Sequence, residues 1–129
     1  MHHWVMIVDD SEIDRYLHEK VIRNSLFAKE VIGFDSAAMA LMYLESIKND
    51  PAKLPDVIFL DIHMPVMNGF DFLDAFLKFP ENVKNRCKIV MLSSTLLKED
   101  HLKMKGYPIL WKFLNKPLSE EMLDDLRDL

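Results

Sequence analysis

Four short apolar runs, each ending in polar residues, constrain this chain more than any other feature. Trp4-Val5-Met6-Ile7-Val8 stops at Asp9-Asp10, Val57-Ile58-Phe59-Leu60 stops at Asp61, and Ile89-Val90-Met91-Leu92 stops at Ser93-Ser94. Nearer the C-terminus, Trp111-Lys112-Phe113-Leu114-Asn115 leads into Lys116-Pro117. Short continuous apolar runs read as strands buried on both faces, the habit of a parallel sheet covered by helices. In such sheets the ligand site lies beyond the carboxyl ends of the strands. Three acids, a hydroxyl and a lysine are therefore expected at one edge. That set can hold a divalent cation and accept a phosphoryl group.

Amphipathic stretches separate the runs. Ser11 can cap a helix from Glu12 to about Ser25, with Ile13, Leu17 and Val21 on one face. Lys29 to Phe34 reads as a second strand. Ser36 caps a helix from Ala37 to Lys48, whose Ala37, Ala38 and Ala40 permit close packing, and Asn49-Asp50-Pro51 ends it. After Asp61, the stretch Ile62 to Gly69 is a loop marked by Pro65 and Asn68-Gly69. A third helix is expected over Phe70 to Phe79, ended by Pro80, with Glu81 to Lys88 leading into the fourth strand. A weaker helix over Lys98 to Lys105 stops at Gly106 and Pro108. The fifth strand spans about Leu110 to Leu114, and Ser119 opens a last helix with Glu120 and Glu121 in its first turn, which suits the helix dipole. The alternation βαβαβαβαβα implies an α/β fold, with five parallel strands joined by right-handed crossovers.

A chain of 129 residues fits one domain, residues 1–129, with a real core. No linker, repeat or attached effector domain is expected. The net charge of −5, without a basic stripe, argues against nucleic-acid binding. Cys87 is alone, which excludes an internal disulfide and fits a reducing compartment. No apolar stretch approaches the roughly 20 residues that span a bilayer, and no signal peptide opens the chain. These features predict a cytoplasmic protein without a membrane partner. His2-His3 could be a fragment of a metal site, but two histidines at a chain end are more often nothing.

Taken in order, these residues resemble the receiver domain of two-component response regulators, of the stand-alone, chemotaxis-receiver-like kind. The matching elements are Asp9-Asp10 after the first strand, and Asp61 with Met64-Pro65 and Gly69 after the third. Ser93 after the fourth strand and Lys116-Pro117 after the fifth complete them. Each alone is weak; all of them, each at a strand's C-terminal end, make a strong signal. The resemblance implies a doubly wound, flavodoxin-like sheet of strand order 2-1-3-4-5 and an aspartyl-phosphate mechanism.

The resemblance also assigns roles. Asp61 would be the phosphoacceptor, ionised and held in line for attack on phosphorus. A nearby lysine and a cation are expected to keep its pKa low. Mg²⁺ would be ligated by Asp10, Asp61 and the backbone carbonyl of His63, with Asp9 acting mainly through water. Lys116, before a cis Pro117, would reach a phosphoryl oxygen. Ser93 would offer its hydroxyl; its neighbour Ser94 is the alternative, and the end of the apolar run favours Ser93. Phe113 stands where the family carries a switch aromatic, although a core Phe with one rotamer explains it as well. The His63 side chain is expected to be exposed and noncatalytic. Trp111, beside Phe113, suits partner docking on the strand-five face.

The reading is a receiver that takes phosphate from a sensor histidine kinase or a histidine phosphotransfer protein. It would then change conformation for an unknown downstream partner and slowly dephosphorylate itself. An interaction module that keeps the fold without phosphorylation is the alternative. A haloacid-dehalogenase-type phosphatase shares the residue types, but there the nucleophile follows the first strand, in an Asp-x-Asp motif.

Overall fold

Each apolar run forms a strand in the computed structural model, which describes residues 1–94 and 97–127. The strands are β1 (His2–Val8), β2 (Ala28–Phe34), β3 (Val57–Asp61), β4 (Lys88–Ser93) and β5 (Leu110–Asn115). The helices are α1 (Glu12–Asn24), α2 (Ala37–Ile47), α3 (Gly69–Phe76), α4 (Glu81–Arg86), α5 (Lys98–Met104) and α6 (Glu120–Leu126). All strand pairings are parallel, in the order β2-β1-β3-β4-β5. This is the doubly wound α/β sheet expected from the sequence.

The pleat divides the apolar residues between two layers, because successive side chains point to opposite faces. Met6, Val8, Ile58, Leu60, Ile89 and Met91 pack with Ala40 and Leu44 of α2 and Leu73 and Phe76 of α3. Val5, Ile7, Phe59, Val90 and Leu92 pack with Ile22 of α1 and Leu123 and Leu126 of α6. Every residue of β3 is buried. An alternating strand would have exposed half of them, so the continuous run was the right cue for a central strand.

Local chemistry sets the helix starts. The side chains of Ser11, Ser36 and Ser119 accept hydrogen bonds from the backbone N–H groups of Asp14, Met39 and Met122. Each thereby satisfies an N–H with no partner inside the helix.

The structure departs from the sequence reading in three places. Glu81–Arg86 is a short helix rather than a plain lead-in to β4. Pro80 presets its entry, Val83 is its buried anchor, and Glu81 with Lys84 and Arg86 complements the dipole. Helix α3 ends at Phe76, three residues before Phe79, where the chain tightens into turns closed by Lys78 N–H to Ala75 O and Phe79 N–H to Phe76 O. The register of β5 shifts, since Ile89 pairs with Leu110 but Val90 pairs with Lys112. Trp111 is the extra residue. It packs on the α1/α6 layer, whereas Phe113 packs on the opposite one. The two aromatics expected side by side therefore lie on opposite faces of the sheet. No helix among the described residues is long and apolar enough to cross a membrane.

Candidate functional site

Strand register brings the polar residues together. Val8 pairs with Leu60, Asp61 with Leu92, and Ser93 with Asn115. The residues that follow or end these strands thus meet at one edge of the sheet. The carboxylate oxygens of Asp9, Asp10 and Asp61 come within 4.8 Å of one another. Asp9 and Asp61 are buried, and Asp10 is exposed.

The start of α1 holds Asp9 in place. Its Oδ1 accepts from the Ser11 N–H at 2.9 Å, and its carbonyl accepts from Arg15 Nη1 at 2.7 Å. Its other oxygen, Oδ2, lies 2.7 Å from Lys116 Nζ. Both Asp9 oxygens are thus engaged by the protein.

Lys116 arrives from the end of β5. Its backbone N–H donates to the Ser93 carbonyl at 2.9 Å, and its bond to Pro117 is cis. Its ammonium, 9% exposed, lies 2.8 Å from Asp14 Oδ2 and 3.5 Å from Asp61 Oδ1. Burial alone would lower the lysine pKa. Hydrogen bonds to Asp14 and Asp9 and the charge of Asp61 outweigh burial, and the net shift is upward.

Without a cation, Lys116 alone does not keep the Asp61 pKa low. Burial is the largest influence and, with the charges of Asp9 and Asp10, lifts the Asp61 carboxyl to about 6. Lys116 and a backbone hydrogen bond from His63 oppose this and lose. The physical reason is burial first; the ammonium also sits closer to Asp9 and Asp14 than to Asp61, which weakens its pull on the acceptor. A divalent cation among the carboxylates would reverse that balance.

The loop after Asp61 folds back tightly. The Gly69 N–H donates to the Ile62 carbonyl at 2.8 Å, and a Cβ on Gly69 would sit 2.7 Å from the Asp61 carbonyl oxygen. Only glycine lets α3 begin this close to the strand that carries Asp61. Asn68 and Asp71 cap α3 reciprocally. Val66 is fully exposed at φ 68°, at the centre of a turn closed by Met67 N–H to Pro65 O at 2.7 Å. A β-branched residue in that region is strained.

Ser93 is buried at the end of β4, whereas Ser94 is exposed, which separates the two hydroxyls. Phe113 is half-buried, with its ring 6.3 Å from that of His101 on α5. The His63 side chain is partly exposed, as expected, but it is tied to a buried acid: its Nε2 lies 3.1 Å from Asp100 Oδ2. His2 sits at the far end of the sheet, near Asp56, away from the acid cluster. The donor set fits a hard cation, being three carboxylates with at least one exposed, and Mg²⁺ takes oxygen ligands while keeping several waters.

Sequence reasoning missed Asp14 and Asp100. Asp14 lies three residues past the Ser11 cap, so the first turn of α1 aims it back over the strand edge. That placement was legible once the cap was assigned. Asp100 gave no comparable signal, because its partner is 37 residues away.

The response regulator receiver domain model matches residues 5–127. A protein-glutamate methylesterase/protein-glutamine glutaminase of Methylobacillus flagellatus is 33% identical over 114 residues, covering 88% of this chain and 29% of that protein. The sensor histidine kinase CheAY of Helicobacter pylori is 31% identical over 120 residues, covering 92% of this chain and 14% of the kinase. The chain thus spans less than a third of either relative's length. A two-component response regulator from Cytophaga hutchinsonii superposes with a TM-score of 0.89 at 27% identity, over 98% of this chain and 95% of that one. With its strand order and its acidic strand edge, the chain belongs to the response regulator receiver domain family.

Proposed function

We propose that residues 1–129 act as one receiver unit in which Asp61 accepts a phosphoryl group from a phosphohistidine on a sensor histidine kinase or histidine phosphotransfer protein. The observation that carries the reading is the Lys116 ammonium set among Asp9, Asp14 and Asp61 at the carboxyl edge of the sheet. Receiver domains generally bind Mg²⁺ through an acidic pocket, and this chain has the acids for one.

In the proposed step an Asp61 carboxylate oxygen attacks phosphorus. An acyl phosphate P–O bond forms and the P–N bond to the donor imidazole breaks, leaving its electron pair on nitrogen. Lys116 places positive charge beside the incoming phosphoryl oxygens, and the Ser93 hydroxyl donates to one of them. The cation would be held by Asp10, Asp61 and the His63 carbonyl. Asp9, whose oxygens already serve Ser11 and Lys116, would act through water. When bound, Mg²⁺ supplies neutralising charge for the carboxylates and the phosphoryl group. Slow attack of water on the acyl phosphate would reset the protein. A downstream partner would read the change on the face formed by α5, β5 and α6, with Phe113 as the moving aromatic. The exchange is proposed to take place in the cytoplasm.

The test is intact-mass spectrometry after incubation with acetyl phosphate and Mg²⁺. One labile phosphate, lost in Asp61→Asn, is expected. An unmodified wild-type protein would overturn the reading and favour an interaction module that keeps the fold without phosphorylation.

A further inference from the structure

The ammonium of Lys116 faces three carboxylates, and the nearest two are not the acceptor. Asp9 and Asp14 take it at 2.7 and 2.8 Å, whereas Asp61 stands at 3.5 Å, beyond a good hydrogen bond. We propose that Asp14 is a positioning residue, a carboxylate that holds the Lys116 ammonium back from Asp61 in the resting protein and so restrains phosphoryl acceptance. The inference rests on the roles given above to Asp61 and Lys116.

The two rivals for the lysine differ in kind. Asp9 is buried, and its second oxygen is bound to the Ser11 N–H, so it cannot turn away. Asp14 has a side chain 35% exposed and can exchange its lysine hydrogen bond for water. Its backbone N–H is bonded to Ser11 Oγ, which fixes where the carboxylate stands. Lysine has three donors and no acceptor. Phosphorylation asks it to turn one N–H toward new phosphoryl oxygens, and Asp14 is the partner it can release.

His18, one helical turn further along α1, does not relieve this contest. Its imidazole is buried, and its Nδ1 has no hydrogen-bond partner among the described residues. Burial first and the nearby Lys116 second disfavour its cation, against the pull of Asp9 and Asp14. It therefore offers Asp14 no rival positive charge. The restraint is a ground-state effect. The Asp14 ion pair stabilises the resting arrangement and has no counterpart once the lysine serves the phosphoryl group, so removing it lowers the barrier to acceptance.

The experiment follows the rate of phosphate uptake from limiting acetyl phosphate with Mg²⁺, by intact mass, in wild type, Asp14→Asn, Lys116→Met and the double variant. Asp14→Asn is expected to react faster by up to about five-fold, the scale of an ion pair whose carboxylate is partly exposed, and Asp14→Glu to stay near wild type. In the Lys116→Met background the same substitution is expected to change nothing. A role confined to the helix dipole would alter melting temperature in both backgrounds and leave the cycle flat. Equal acceleration with and without the lysine would show a through-space charge effect and overturn the proposal, as would an unchanged or slower Asp14→Asn. In either case wild-type labelling leaves the receiver reading intact. A wild-type protein that takes no phosphate overturns both.

Discussion

The imidazole Nε2 of His63 lies 3.1 Å from Asp100 Oδ2 and joins the loop beyond Asp61 to the first turn of α5. Asp100 is buried and also accepts from the Leu97 N–H at 3.2 Å, so one carboxylate serves both a helix start and a cross-loop contact. Asp100→Ala should therefore lower stability by about 1–2 kcal/mol, through a lost cap and an unmade hydrogen bond. His63→Ala leaves the cap in place, and the half-exposed His63 side chain contributes less, so its cost should stay below about 1 kcal/mol. Urea unfolding of the two variants measures this. Equal costs would mean that the cap carries nothing.

Asp61 couples stability to pH in an unusual direction. Its carboxyl is raised from 3.8 to about 6, so between those values the folded protein binds a proton that the unfolded chain does not. That contribution is full below the unfolded pKa and is lost as pH rises through the folded one, leaving a buried, ionised, repelled carboxylate at neutral pH. Asp61→Asn removes the charge and keeps the shape. In metal-free buffer it should match wild type below about pH 4 and exceed it above about pH 6, by on the order of 3 kcal/mol. Urea midpoints against pH test the sign. A difference that does not vary with pH would refute the coupling.

The same repulsion predicts a response to Mg²⁺. A ligand that binds only the folded acids stabilises the fold, and it also cancels the charge that burdens Asp61. Melting temperature should rise with Mg²⁺ in the wild type and much less in Asp10→Ala, because Asp10 is the exposed acid of the cluster. An equal rise in both proteins would place the cation elsewhere.

Much of this arrangement was legible in the chain. Val57 to Leu60 read as a doubly covered strand, which put the polar residue after it at the carboxyl edge. Asp9, Asp61, Ser93 and Lys116 were therefore placed by strand ends alone. Short-range signals also sufficed for Ser11, Ser36 and Ser119. What escaped was tertiary. The lysine's allegiance to Asp9 and Asp14 rather than Asp61 depends on tenths of an ångström. The register shift at Trp111 depends on how β5 fits β4, and nothing in Trp111-Lys112-Phe113 announces it. Helix α4 hangs on a single buried side chain, Val83, too little to create a periodic pattern.

Gly69 sets a steric prediction in which two effects oppose. Alanine inside a helix is favoured over glycine by about 1 kcal/mol. At Gly69, however, the added Cβ would stand 2.7 Å from the Asp61 carbonyl oxygen and 3.0 Å from Ile62 Cα, both backbone atoms that cannot swing aside. Overpacking of this kind costs about 1–3 kcal/mol, so the clash should win. Gly69→Ala is expected to be less stable than wild type and slower to take phosphate, since relief requires moving the strand end that carries Asp61. A stabilised variant with normal uptake would show that α3 can retreat freely.

Phosphate on Asp61 should draw the Ser93 hydroxyl toward it, and space vacated near β4 would let Phe113 turn inward. The shift needs contacts that differ between the two states, and the Ser93 hydroxyl and Lys116 provide them. The two aromatics of β5 should then respond unequally. Phe113 lies on the α2/α3 layer, pairs with Met91 and faces the His101 ring at 6.3 Å, whereas Trp111 lies on the α1/α6 layer. On addition of beryllofluoride with Mg²⁺, NMR shifts should therefore be large at Met91, Phe113 and His101 and small at the Trp111 indole. Tryptophan fluorescence, with Trp4 also emitting from the buried core, would report the event poorly. Ser93→Ala should keep changes near Asp9, Asp10 and Asp61 and abolish those at His101. If His101 and Phe113 stay silent in the wild type while the acids respond, Phe113 is a packed core ring and the signal leaves the site by another route.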